Sequence, residues 1–268
     1  MRLGAGAFCN VYKGAIEGSA PVSKVNPSIT AYNTFRDCMC AVKMLPSSAD
    51  STAHSDFLQE INFMKSLKHH PYLVSMLGIS MDNYGNLMLL IEYCDLGDLL
   101  HLIRNKKEEI ITNHSNEHTK LRITDMILFA WQISNGLEYL SSIGCVHRDV
   151  AARNVFVTSN SICKLNIFIA FRWSYGVLLY ELFSFGEIPY TLFQASDILE
   201  FLDSGGRLSQ PDHCPNEIYR IMLQCWQHEP KLRPMFTEIC ANLKAIDKFS
   251  LKQNMRSEIL NEQSNDQI

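Results

Sequence analysis

Apolar residues recur with two different spacings along this chain, and the change of spacing divides it. Before residue 95 most apolar runs have strand length. Phe8 to Lys13, Met39 to Leu45 and Leu87 to Glu92 read as strands, the first two joined by a long polar loop containing Pro21 and Pro27. Asp50 to Leu67 instead reads as a helix, with Ser and Asp cap candidates at its start and Pro71 shortly after its end. Its apolar stripe is Phe57, Ile61, Met64 and Leu67, and Glu60 lies within that stripe. A carboxylate on a buried face needs a cationic partner or a proton.

Beyond the turn Asp95-Leu96-Gly97-Asp98 and a short helix, Arg104 to Lys120 is polar without an apolar period and reads as a solvated insert. His114 and His118 have metal-pair spacing there, but with no third ligand they read as surface histidines. The rest is helical. Met126, Phe129, Ile133, Leu137 and Leu140 form one face of a helix opened by Thr124 or Asp125 and closed by Gly144. Trp173 to Phe183 is apolar almost all round, as in a helix buried in a core. Asn216 to Trp226 and Met235 to Ile246 are amphipathic, and 248–268 reads as a polar tail. The expected organisation is a lobe over 1–94, a second lobe over 95–247 with an insert at 105–120, and the tail.

Composition narrows the class of function. A chain of 268 residues that is 47% hydrophobic can bury a substantial core, which argues against disorder as its main state. With 24 Lys and Arg against 28 Asp and Glu, and no basic stripe, a nucleic-acid partner is not expected. Nine cysteines, an odd number without a C-x-x-C pair, fit neither a disulfide framework nor a zinc ribbon and point to a reducing compartment. Cys38 and Cys40 share one strand face as buried thiols. There is no signal-peptide core, and apolar runs fall far short of a membrane span.

Three runs carry chemistry. In Leu3-Gly4-Ala5-Gly6-Ala7-Phe8-Cys9-Asn10-Val11, glycines would let backbone amides approach phosphate oxygens, although an ordinary hairpin has the same composition. Ala41-Val42-Lys43 ends an apolar strand with a lysine, whose plainest reading alone is an exposed strand end. The decisive run is Val146-His147-Arg148-Asp149-Val150-Ala151-Ala152-Arg153-Asn154-Val155. An Asp followed five residues later by an Asn, in a loop leaving a long helix, can orient a hydroxyl and offer an oxygen to Mg²⁺.

With that run the sequence resembles the protein kinase family, specifically receptor-type tyrosine kinases with a split catalytic domain. The resemblance extends from Leu3 to about Ile246, and its specific marker is Ala151-Ala152-Arg153-Asn154. It implies an α+β, two-lobed protein-kinase-like fold, with a small β-rich N-lobe and a mainly helical C-lobe. It also implies ATP and Mg²⁺ as cofactors, protein tyrosine substrates or a partner kinase domain, and a cytoplasmic location, with any membrane attachment through a segment outside this chain. By match, Lys43 would hold the α- and β-phosphates and pair with Glu60. Leu3, Gly4, Gly6, Val11 and Ala41 would cover the nucleotide, and Ile91 would be the gatekeeper before a hinge at Glu92 to Cys94. Asp149 would orient the substrate hydroxyl, Arg153 would support it, and Asn154 would bind one Mg²⁺.

The pattern breaks at one place. Where the family has Asp-Phe-Gly, this chain has Ile167-Phe168-Ile169, an aliphatic in place of a metal-binding carboxylate. Trp173 then follows only six positions after Ile167, so about forty residues are missing against the family layout, among them the activation segment and the Ala-Pro-Glu motif. Five steps from Phe168 to Trp173 span at most roughly 18 Å, so the lobe must distort or the buried helix must lose its first turn. Arg233, whose family partner is the missing glutamate, is expected to turn to solvent or find another acid. The resemblance thus implies a kinase-family domain with impaired catalysis. The alternatives are a pseudokinase scaffold or a truncated product of an active receptor kinase.

Overall fold

The computed structural model describes residues 1–5, 9–25, 35–112, 121–144, 150–166 and 172–246. It divides into two compact units, Met1–Asp95 and Leu96–Ile268.

The first unit is built on five antiparallel strands in the order β1-β2-β3-β5-β4: β1 (Arg2–Ala5), β2 (Asn10–Ser19), β3 (Arg36–Met44), β4 (Met76–Met81) and β5 (Leu87–Glu92). β2 outruns the predicted strand by six residues, and a short helix, α1 (Val22–Val25), stands where only loop was expected. The extension comes from tertiary pairing. β3 starts at Arg36 and stays in register with β2 as far as Ser19, across an irregularity after Ile16. One face of this sheet closes over a small cluster of Ala20, Phe35, Cys40 and Leu77, joined by Ile16, Cys38, Val42 and Leu90. β4 was not foreseen: only Leu77 and Gly78 of its six residues are buried, too few to print an alternating pattern.

Helix α2 (Ser51–Ser66) opens where the sequence predicts, because the Asp50 carboxylate accepts a hydrogen bond from the Ala53 amide at 2.8 Å. Its buried side chains are Phe57, Ile61 and Met64.

In the second unit, α3 (Leu99–Thr112) runs through the first half of the predicted insert. Leu99, Ile103 and Ile110 are buried along it, and Lys106 pairs with Glu109 at 2.5 Å. The charged residues that read as loop are its solvent face. His114 and His118 lie outside the described residues. Helix α4 (Ile123–Ser142) starts one residue before the predicted caps. Arg122 is the cap position, and its amide donates to the Asp125 carboxylate at 2.7 Å. The predicted face is fully buried. The β6 (Val155–Val157) and β7 (Cys163–Leu165) hairpin is held to α4 by buried Gln132, which accepts from the Cys163 amide at 2.6 Å and donates to the Ser161 carbonyl at 3.2 Å.

Helix α5 (Arg172–Phe183) is the centre of this unit, and Tyr175 donates its hydroxyl to the Ala130 carbonyl at 2.9 Å. It is helical from Arg172 onward, so the first turn that the short connection threatened is present. Around it lie α6 (Ala195–Asp203), α7 (Asn216–Cys225) and a last helix, α8, over 236–246. Among the described residues no helix is long and apolar enough to cross a membrane.

Candidate functional site

The register of the first sheet assembles one face. Val11 stands opposite Lys43 and Lys13 opposite Ala41, while Ala41 stands opposite Ile91 and Lys43 opposite Leu89. Side chains alternate along a strand, so Val11, Ala41, Lys43 and Ile91 point to the same side. Lys43 is 9% exposed, which overturns its reading as a solvated strand end. Its ammonium is ion-paired with Glu60 of α2. Each charge thereby answers for the burial of the other. Cys9 lies in their field: burial raises its thiol pKa most, Lys43 opposes the rise and Glu60 adds to it.

Leu3 and Gly4 sit on β1, Leu3 at 38% exposure and Gly4 in register with Val11. A Cβ on Gly4 would meet nothing within 4 Å, so packing does not require the glycine there. Gly6 lies outside the described residues. At the end of β5, Glu92 locks its strand to the segment before β4. Its amide donates to the Ser75 carbonyl at 2.9 Å and its carboxylate accepts from the Ser75 amide at 3.2 Å. Cys94 is buried, and the Lys13 ammonium sits 4.5 Å from the centre of the Tyr93 ring.

In the second unit Arg153 and Asn154 stand on a single 3-10 turn, Ala152–Asn154, entering β6. Arg153 is exposed and Asn154 half-buried. The Asn154 carbonyl accepts from the Asn166 amide at 2.9 Å, which ties this turn to the end of β7. A residue that sequence reasoning missed holds it from below. Glu181 of α5, 7% exposed, accepts from the Ala152 amide at 2.8 Å. The signal was available, since Glu181 is the only charged side chain between Trp173 and Phe183. Asp149 and Ile167 to Ile169 lie outside the described residues.

Compared with known families, residues 1–168 and 171–243 match the profile of the protein tyrosine and serine/threonine kinases. This chain belongs to that family. The antiparallel-sheet unit is its N-lobe and the helical unit its C-lobe. Among curated relatives, a putative tyrosine-protein kinase of Caenorhabditis elegans is 39% identical, the match covering 88% of this chain and 32% of that protein. The tyrosine kinase receptor Cad96Ca of Drosophila melanogaster is 32% identical, over 78% of this chain and 31% of that one. A fibroblast growth factor receptor of Halocynthia roretzi is 31% identical, over 90% and 37%. The kinase domain described here therefore spans about a third of the length of the curated relatives it matches.

Kinases of this family use ATP and Mg²⁺ generally. The N-lobe residues fit a nucleotide: an ion-paired lysine under an apolar sheet face, with open space above Gly4. Asn154 offers one amide oxygen and Ile167 offers none. Among the described residues no group of three or more His, Cys, Asp or Glu could hold a metal.

Arg233 meets neither expected fate. It is half-buried, with its guanidinium carbon 5.1 Å from the centre of the Trp173 ring, and it donates to the carbonyls of Gln227 at 2.9 Å and His228 at 3.2 Å. No acid pairs with it among the described residues.

Proposed function

We propose that this chain is a cytoplasmic tyrosine-kinase-family domain that keeps a nucleotide grip and has lost efficient phosphoryl transfer. Lys43 holds the phosphates with Glu60 behind it, while Leu3, Gly4, Gly6, Val11, Ala41 and the hinge at Glu92 and Cys94 enclose the base and ribose. Asp149, Arg153 and Asn154 keep their types in the catalytic loop. What is lost is the second Mg²⁺ ligand, at Ile167, and the platform for a tyrosine substrate. Transfer of a phosphoryl group depends on positioning and charge neutralisation, so both losses fall on the rate.

One observation carries this reading. The match to the worm kinase runs over 280 positions while drawing on 88% of the chain, about 236 residues. About 44 positions of the relative therefore have no counterpart here. The family match is interrupted between residues 168 and 171, the place where the sequence motifs also break off.

ATP should raise the melting temperature, by about 2–4 °C for each kcal/mol of binding linkage. Lys43→Met should abolish the rise, and Mg²⁺ should add little to it. Phosphate transfer to a Glu/Tyr copolymer should stay at background. Vigorous transfer that disappears in Asp149→Asn would overturn the proposal.

The contiguous nature of the loss favours a second reading, of a shortened product of a gene that also encodes an active receptor kinase. Substitutions accumulated by drift would be scattered, whereas here both flanks are intact. Sequencing transcripts across the codons for Asn166 to Trp173 separates the two. A longer message supports the shortened product, and a single junction in every message rejects it.

A further inference from the structure

The C-lobe holds a concentration of positive charge that the nucleotide site does not use. Arg172 opens α5, Arg207 lies between α6 and α7, and Arg233 precedes α8. All three are half-buried. The guanidinium carbons of Arg207 and Arg233 each lie 5.1 Å from the centre of the Trp173 ring, so they are at most twice that distance, roughly 10 Å, apart. Arg172 joins them by donating to the Arg233 carbonyl at 3.0 Å. Burial lowers the pKa of Arg233 most, and Arg172 and Arg207, as like charges, lower it further.

Their hydrogen bonds are all to neutral acceptors. Arg207 donates to the carbonyls of Trp226, Leu202 and Gly206, Arg233 to two more, and Arg172 to one carbonyl and the Met235 sulfur. Seven bonds draw on about fifteen guanidinium N–H groups. Among the described residues no carboxylate lies within pairing distance of any of the three. The acid that Arg233 senses, Glu229, is the smallest contributor to its titration. Three charges gathered at an aromatic ring, with no ion-paired carboxylate among the described residues, stand out on a chain whose formal net charge is −4.

We propose that Arg172, Arg207 and Arg233, gathered around Trp173, form a docking site for an acidic polypeptide segment of a partner protein. Carboxylates match the planar fork of arginine, and several within one segment answer several guanidiniums. The surroundings favour a peptide over a small anion. Leu232 and Met235 flank Arg233 at 68% and 54% exposure, apolar surface that side chains between the acidic residues would cover and that phosphate would not. The site involves none of the nucleotide-binding residues, so it stands or falls independently of the proposed ATP grip.

The test is fluorescence anisotropy with a labelled peptide of alternating glutamate and leucine, using the full chain without nucleotide. Binding should be saturable, weaken with added NaCl, and be about tenfold or more weaker in Arg172→Gln. Met235→Ala, which leaves every arginine in place, should weaken it by a smaller factor. Thermal melting of both variants checks that they are folded. No binding, equal binding of a glutamine/leucine peptide, or equal affinity in a folded Arg172→Gln would overturn the proposal. Complete displacement by millimolar inorganic phosphate would overturn it too, by showing a general anion site.

Discussion

Two carboxylates sit on apolar helix faces in this kinase domain, and their different partners explain their different roles. Glu60 answers a charge: it pairs with Lys43, so neither ion is buried alone. Glu181 answers a backbone donor, the Ala152 amide at 2.8 Å, and so anchors the turn that carries Arg153 and Asn154. Removing that acceptor strands a buried N–H. Glu181→Ala should cost about 1–3 kcal/mol in urea denaturation, and Glu181→Gln less, because an amide oxygen still accepts. Equal losses for the two variants would show that the Ala152 bond contributes nothing. The same physical rule, that a buried carboxylate demands a partner, located Glu60 in the sequence and applies equally to Glu181. Glu60 stood out because it interrupts an apolar helix stripe, and Lys43 was named as its partner only through the resemblance to the kinase family. Glu181 takes a main-chain amide among its partners, and no residue type advertises that.

At the level of elements, legibility followed how completely each one is buried on one side. The α4 face and the all-apolar α5 stand in the sequence nearly residue for residue, because each packs a full stripe or circumference into the core. Helix α6 went unread although Ile198, Phe201 and Leu202 have helical spacing, because it is only nine residues long and none of them is fully buried. The second half of α3 was hidden by its own solvent face, and the extension of β2 depends on hydrogen bonds to a strand that starts seventeen residues later. The α5–α7 contact shows how tight the legible part is. A Cβ at Gly176 would fall 2.6 Å from Trp226 Nε1 and 2.9 Å from the Cys225 Cβ. Gly176→Ala should therefore destabilise the fold by about 1–3 kcal/mol through overpacking. Trp226→Phe in the same chain removes Nε1, so the double variant should lose less than the two single losses combined. Strict additivity in urea melts would refute this contact as the cause.

Across the whole molecule, burial acts on the thiols and phenols in one direction. The pKa values of Cys9, Cys38 and Cys40 in the N-lobe are raised, and in the C-lobe Cys214 and Cys225 are pushed up to about 12 and Cys240 to about 11, with desolvation the largest cause each time. Tyr175, Tyr180 and Tyr190 shift the same way for the same reason. The six cysteines so raised stay protonated at neutral pH, and protonated thiols are weak nucleophiles and weak metal ligands. The consequence for stability has a definite sign. An unfolded chain releases its thiol protons near pH 8.5 while the folded chain keeps them, so above that value the unfolded state binds fewer protons and stability falls as pH rises. Below it both states are protonated and these groups contribute no slope. Urea midpoints should be level up to about pH 8 and decline between about pH 8.5 and 10.5, the fully buried Cys225 alone accounting for up to about 2 kcal/mol at pH 10. Cys225→Ala lowers stability at every pH by leaving a small cavity, but it should make the alkaline decline shallower, because one buried titrating group is gone. A midpoint that stays constant to about pH 10.5, or a decline as steep in Cys225→Ala as in the parent, would mean that the buried thiols do not govern the alkaline limit of this fold.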